Sequence, residues 1–422
     1  MTCIAASSPT GNLALAPTVP TVRHLSPGSA FALLASITIS FLAGSSAPTP
    51  LYPIYQTQWG FTSITITVIF GIYALVLLAA LLVAGRLSDH VGRRPVLIAA
   101  ALAQVVAMMV FTHAEGVAGL VAARIIQGLA TGAAVAAIGA GMLDLNAARG
   151  TLANSVAPAL GTATGAIVGG VMVHFLPAPT HMVYWLLAGV YLAQAIGVSF
   201  MAETNKPRGG AWKSLKPQFR IPAAVRSPLL VATPILIAAW SLAGLYAALV
   251  PAVLRTVFGW DASLQGGIAL FLLAGSGALA VMLLRQRAAF EMLIVGASGV
   301  LLGTGVVVAS LLHPSAVGFL LGTMVAGAGF GLGFQGGMRT VMPLAAPQER
   351  AGVLSVIFVV SYLAMGLPAI IAGFVAVRTG NLLATANGFG MLIVVLAALA
   401  LLGAGVRALA AKAPLSAART GL

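Results

Sequence analysis

From about residue 29 almost to its end, the chain alternates long apolar runs with short polar breaks. The runs fall near 29–55, 62–84, 95–113, 117–143, 151–176, 181–201, 228–254, 263–284, 291–312, 315–339, 351–376 and 384–406. Each is long enough for one helical crossing of a bilayer, which takes roughly 20 apolar residues. The pattern therefore predicts twelve spans, an even number that leaves both termini on one side. Span 1 closes on Pro48, Pro50 and Pro53, and because each proline lacks the N–H a helix needs, an unwound or bent end is expected there.

Two polar stretches stand out for their length. Residues 1–28 are rich in Ser, Thr and Pro with almost no charge and read as a disordered cytoplasmic tail. A cleaved leader is the rival reading, since Arg23 and His24 precede an apolar run ending in Ala43-Gly44-Ser45-Ser46-Ala47, but removing that run would invert the topology that the charges require. Residues 203–227 gather Glu203, Lys206, Arg208, Lys213, Lys216, Arg220 and Arg226. They read as a basic, headgroup-facing linker between two six-helix halves, 29–202 and 228–406, with a short tail at 407–422.

Composition settles the class: with 60% hydrophobic and 7% charged residues and a mean hydropathy of +1.06, a water-soluble fold is excluded. The net charge of +14 does not point to nucleic acid, because the basic residues alternate loop by loop. With the N-terminus inside, 18 of the 21 lie on the cytoplasmic side, only Arg255 and Arg378 lie opposite, and Arg124 sits within a span. The expected protein is an integral component of the cell (inner) membrane with both termini cytoplasmic. Cys3 alone forms no internal disulfide, the histidines show no metal-ligand spacing, and no phosphate-binding loop is present, so neither metal nor cofactor is expected.

The densest charge lies between spans 2 and 3, in Gly85-Arg86-Leu87-Ser88-Asp89-His90-Val91-Gly92-Arg93-Arg94-Pro95-Val96-Leu97. This spacing resembles the loop signature of the major facilitator superfamily of secondary transporters, with His90 where the family often has arginine. The resemblance covers nearly the whole chain and implies an all-α fold of twelve transmembrane helices in two six-helix halves. It also implies that Asp89 docks against the start of span 11 near Arg350, so that Gly85, Asp89, Gly92, Arg93, Arg94, Asp144, Arg149 and Arg350 form an inner gate. The halves show weak internal repetition, Arg149-Gly-Thr-Leu-Ala-Asn-Ser155 matching Arg350-Ala-Gly-Val-Leu-Ser355, whereas the second-half counterpart of the charged loop shrinks to Arg285-Gln286-Arg287 without an acid.

Within the membrane Arg124 stands out, since a guanidinium near a helix centre costs about 2.5–3.5 kcal/mol on insertion scales. Arg124, Gln127 and Gly128 share one helical face. The stretch around them resembles the fourth-helix motif of proton-coupled members, which implies a place near the substrate cavity; an arginine that simply bonds backbone carbonyls is the other reading. Span 5 carries Gly161, Gly165, Gly169 and Gly170. These resemble the fifth-helix motif of antiporters, with Ala166 where proline is usual, and they also suit plain helix packing.

No acid falls mid-membrane, and Asp144 is open both to proton transfer and to a static cluster with Arg93, Arg94 and Arg149. The cavity helices of the family map onto spans with few polar anchors, implying a substrate path of Arg124, Gln127, Tyr73, Trp240, Tyr246, Phe334, Gln335 and Tyr362 that suits a lipophilic ligand. The expected function is proton-driven export of small amphipathic or lipophilic compounds by a monomer that is not an enzyme. Uptake or exchange of a small, anionic metabolite is the alternative, and a non-transporting receptor the reading from another class.

Overall fold

The computed structural model describes residues 24–217, 221–260, 264–346 and 349–417. Twelve helices long and apolar enough to cross a membrane follow one another: α1 (Pro27–Ser46), α2 (Ser63–Ala84), α3 (Arg93–Thr112), α4 (Val117–Leu145), α5 (Ala147–Phe175), α6 (Pro179–Ser199), α7 (Ala223–Ala248), α8 (Leu264–Leu283), α9 (Ala289–Leu312), α10 (Ala316–Val341), α11 (Arg350–Thr379) and α12 (Leu382–Ala417). No strand occurs among the described residues. Large apolar side chains such as Leu102, Val106, Leu302, Val306, Leu399 and Leu402 stay exposed, as they must on a surface that lipid covers.

Local chemistry moves several boundaries. The first helix begins at Pro27, two residues before the expected start, because Ser26 accepts the amide of Ser29 and Pro27 occupies a position that needs no N–H. The linker ends earlier than expected: Pro222 caps α7, so Arg226 is already helical and Pro228 and Pro234 lie inside the helix. At the other end α12 runs on to Ala417, past the expected boundary at 406. Residues 1–23 of the expected N-terminal tail and 418–422 of the C-terminal one lie outside the described residues.

The proline-rich end of α1 breaks as its chemistry requires. After Ser46 the chain makes a 3-10 turn at Thr49–Leu51 and a short helix at Tyr52–Trp59. Pro48 stands where a helical residue would donate to the carbonyl of Gly44, so that carbonyl is left for another donor.

One large apolar cluster is built from residues between Ala30 and Met201, and a second from residues between Val225 and Ala404 together with Ala166. Between these two sets, α2 packs along α11 and α5 along α8. A third cluster, holding Phe70, Tyr73, Leu77, Ala247, Tyr362 and Met365, forms where α2, α7 and α11 meet.

Candidate functional site

Arg124 lies at the middle of the first six helices, completely buried. Every ligand of its guanidinium is neutral. Nε and Nη2 donate to Tyr52 Oη at 3.0 and 2.7 Å, and Nη1 donates to the Ser45 carbonyl at 2.9 Å and to Gln127 Oε1 at 2.6 Å. Gln127 in turn donates Nε2 to the Gly44 carbonyl, 2.9 Å away, the group freed by Pro48. The break in α1 thus supplies two carbonyls and the Tyr52 hydroxyl to α4. The rings of Tyr73, Phe111 and Tyr52 lie with centroids 5.0, 5.7 and 5.8 Å from the guanidinium carbon, close enough for cation–π attraction.

A close approach puts Tyr73 beside this charge. A Cβ on Gly132 would come within 2.4 Å of the Leu77 carbonyl and one on Gly128 within 3.0 Å of the Tyr73 carbonyl, so only glycine lets α4 lie so near α2. From Tyr73 an aromatic group continues into the other helix set. The ring of Trp240 lies 4.8 Å from Tyr362, 5.5 Å from Phe334 and 6.4 Å from Phe330, measured between centroids. Trp240, Phe330 and Phe334 keep partial exposure.

Two donors here have no partner. Tyr73, only 4% exposed, makes no hydrogen bond through Oη, and Trp240 makes none through Nε1. Leaving a buried donor unpaired costs about 1–3 kcal/mol.

The expected path is corrected at two residues. Tyr246 points away from it, into the apolar cluster of the second helix set, where it donates to Thr323 Oγ1 at 2.6 Å and stacks on Phe319. Gln335 is committed elsewhere, its Nε2 donating to Ser155 Oγ of α5 at 3.0 Å, a bond between the two helix sets.

On α5, a Cβ at Gly161, Gly165 or Gly169 would lie 2.5, 2.0 or 2.6 Å from the carbonyls of Ile39, Ala43 and Ala47, so these three seat α1. Ala166 and Gly170 face α8 instead, at Gly267. The helix does contain a proline, at Pro158, two turns before the place where the resemblance leads one to look for it.

The charged loop between α2 and α3 is tied to its own half. Gly85 caps α2, and Arg93 pairs with Asp89 four residues earlier and reaches Asp144 Oδ2 from Nε at 3.4 Å. Asp144 also accepts from Thr204 at 3.2 Å, and the Arg94 guanidinium donates to the Ser199 carbonyl.

The sequence reading missed Glu203, which it took for a linker charge. Its carboxylate accepts the amides of Arg93 and Arg94 at 2.7 and 3.0 Å, capping α3 where the helix dipole favours a negative group. Gly92 permits this twice over: its φ of 100° is a conformation other residues avoid, and a Cβ there would lie 2.6 Å from Glu203 Oε2. The linker then follows the loop, with Asn205 Nδ2 donating to the Asp89 carbonyl, Arg208 N donating to the His90 carbonyl and His90 Nδ1 donating to that of Gly209, at 3.0, 2.8 and 3.1 Å. The headgroup-facing tether is therefore, in its first part, a strap bonded to the loop.

Arg149 and Arg350 do not join this cluster. Both are exposed, Arg350 donates to its neighbouring Ala345 carbonyl, and neither forms an ion pair among the described residues. Among the described residues Asp89 pairs with Arg93 and not, as expected, with Arg350.

Comparison with known proteins fits this geometry. Over 157 residues the chain is 35% identical to a chloramphenicol resistance protein of Pseudomonas aeruginosa, a match that spans about a third of each chain (35% of both). The crystal structure of the human organic anion transporter MFSD10 (TETRAN) superposes with a TM-score of 0.63 at 18% identity, over 89% of this chain and 100% of that one, and shows the shared fold. A family model described as Major Facilitator Superfamily matches residues 34–369. With twelve apolar helices, a charged loop between the second and third and a match over most of its length, the chain belongs to the Major Facilitator Superfamily of membrane transporters.

Proposed function

We propose that this protein exports small amphipathic or lipophilic compounds across the cell membrane in exchange for protons, by alternating access of one site between its two helix sets. The observation that carries this reading is the aromatic group at the junction of α2, α7, α10 and α11. It combines apolar area with a few unpaired donors, the character of a site for lipophilic ligands. The resistance protein to which part of the chain is similar favours export over uptake. The basic loops favour an orientation with both termini in the cytoplasm, and that would put the loop cluster on the inner side.

Proton coupling needs a group whose protonation follows the conformational cycle. Among the described residues every acid lies at a helix end, and Asp261 lies outside them. We assign the role to Asp144, held by Arg93 at 3.4 Å and Thr204 at 3.2 Å and otherwise open to solvent.

Reconstitution in liposomes tests the reading. With an imposed proton gradient of either sign, substrate-evoked proton movement opposite to substrate flux is expected, and Asp144→Asn keeps substrate binding while abolishing the response to the gradient. Flux indifferent to the gradient in the wild type would overturn antiport. Exchange of an anionic metabolite is a second reading, favoured by the absence of any carboxylate bonded to Arg124.

A further inference from the structure

The site between the helix sets carries a chemical bias that the export reading does not specify. We propose that it selects neutral or anionic aryl compounds bearing a hydrogen-bond acceptor and rejects lipophilic cations, with Tyr73 Oη and Trp240 Nε1 as the donors that receive the acceptor. This inference rests on the transport reading for the location of the site, and its selectivity is independent of proton coupling.

Three observations lead here. The leftover polar atoms are both able to donate: the indole N–H of Trp240 can do nothing else, and the Tyr73 hydroxyl, which lies near the hydroxyls of Thr131 and Ser45, closes a hydrogen bond to neither. The charge behind them is positive. Arg124 lies 5.0 Å from the Tyr73 ring, and its ligands, a phenol, an amide and a carbonyl, leave its net charge uncancelled.

Nor does any acid among the described residues offset that charge. Asp89 lies in the α2–α3 loop and Glu115 between α3 and α4. Asp144 is in the last turn of α4, Glu203 follows α6, Glu291 is in the first turn of α9 and Glu349 caps α11. A cationic ligand among these rings would therefore meet a buried positive charge with no carboxylate to neutralise it, in surroundings where screening is weak. An acceptor would meet two donors that are otherwise unpaired.

The same two atoms suggest how the ligand acts. Both donors are shut away from solvent in this arrangement, where Tyr73, Tyr362 and Trp240 close on one another across α2, α7 and α11. In this arrangement the two buried donors meet no protein acceptor, and a ligand acceptor that enters while the helices are apart would be held by both when they close. Compounds without an acceptor can fill the space but do not satisfy the donors, which is the kind of difference polar sites discriminate best.

The test uses one ring with four substituents on the full-length protein in nanodiscs: 1-naphthylacetamide, 1-naphthylacetate, 1-naphthylmethylammonium and 1-ethylnaphthalene, with empty nanodiscs as background. The amide and the carboxylate are expected to bind about tenfold or more tightly than the ammonium ion, the ratio for one charge-assisted or neutral hydrogen bond's worth of preference. Tyr73→Phe, which removes only the hydroxyl, should reduce the preference for the amide over the hydrocarbon about fivefold to tenfold. Trp240→Phe, an independent second variant, should do the same. Equal or tighter binding of the ammonium ion overturns the inference, as does an amide-to-hydrocarbon ratio unchanged in both variants. If the binding order holds while liposomes show no gradient-dependent flux, the transport reading fails and the selectivity stands; gradient-driven flux of the ammonium ion alone refutes the selectivity and leaves transport intact.

Discussion

Both helix sets contain glycine seams, but the first lays many more side-chain bonds over them. In the first, side chains bridge the helices: Tyr191 Oη donates to the Ser40 carbonyl at 3.0 Å, Ser40 Oγ to Gln194 at 2.8 Å, Gln104 to Thr131 at 2.8 Å, and Arg124 gathers α1 onto α4. In the second, α9 and α10 lie backbone on backbone. A Cβ on Gly303 would lie 2.2 Å from Ala326 N, and one on Gly329 would lie 2.3 Å from Val300 N. Within lipid both devices work, because neither depends on excluding water. They differ in what they allow: a side-chain bond can be exchanged for another, whereas glycine contacts admit one spacing only. Glycine contacts seat α1 and α2 in the first set as well, so what sets it apart is the charge and the exchangeable bonds, while the α9–α10 seam of the second serves as a frame.

The largest effect is expected from breaking the frame. Gly303→Leu forces a branched side chain into the backbone of α10 and should destabilise the protein by about 3 kcal/mol, the upper part of the usual range for overpacking, seen as loss of a monodisperse species and a fall in melting temperature. Next comes the equivalent break in the bonded set. Arg124→Ala strands Tyr52, the Ser45 carbonyl and Gln127 and should cost about 2 kcal/mol while abolishing transport; Arg124→Lys should keep the charge without restoring flux, since an ammonium lacks the planar fork that spans these ligands. Near-normal flux in Arg124→Ala would remove the residue from the mechanism.

Glu203→Ala removes the cap of α3 and should cost about 1 kcal/mol, read as a smaller drop in melting temperature, with Glu203→Gln retaining part of it. The smallest shift belongs to the bond that joins the sets. Gln335→Leu should change the balance between inward- and outward-open forms about fivefold, from the loss of one neutral hydrogen bond of about 1 kcal/mol, measured by labelling a cysteine placed on α5. An unchanged balance would leave the Ser155 bond without a gating role.

Much of this was legible in the residues, and the failures have physical causes. Spans follow from hydropathy alone, and Arg124 is conspicuous because lipid penalises charge. Its ligand Tyr52 was within reach too, since a proline-broken helix end offers free carbonyls and places the next residues beside a neighbour. Tyr246 was misplaced for a reason that counting exposes: it follows Trp240 by six residues, which at about 100° per residue turns it about 120° away from Trp240 around α7. Glu203 was not legible, because a carboxylate in a basic linker looks like a solvated charge until folding sets it under Gly92. The absent pairing of Asp89 with Arg350 is different in kind: it requires two helix sets to meet in one state, and local spacing says only that Arg93 is near.

The break in α1 has a consequence for the electrical character of the membrane's interior. Ser45 lies on α1 before the break at Pro48 and Tyr52 on the short helix after it, so a swing of that short helix would withdraw the Tyr52 hydroxyl, which takes two of the guanidinium's hydrogen bonds, and leave the Ser45 carbonyl in place. The positive potential at the middle of the bilayer would then vary over a transport cycle, lower while the Tyr52 hydroxyl is seated on the guanidinium and higher once it leaves. A proline far from any charge in sequence would in this way decide when the buried arginine is felt.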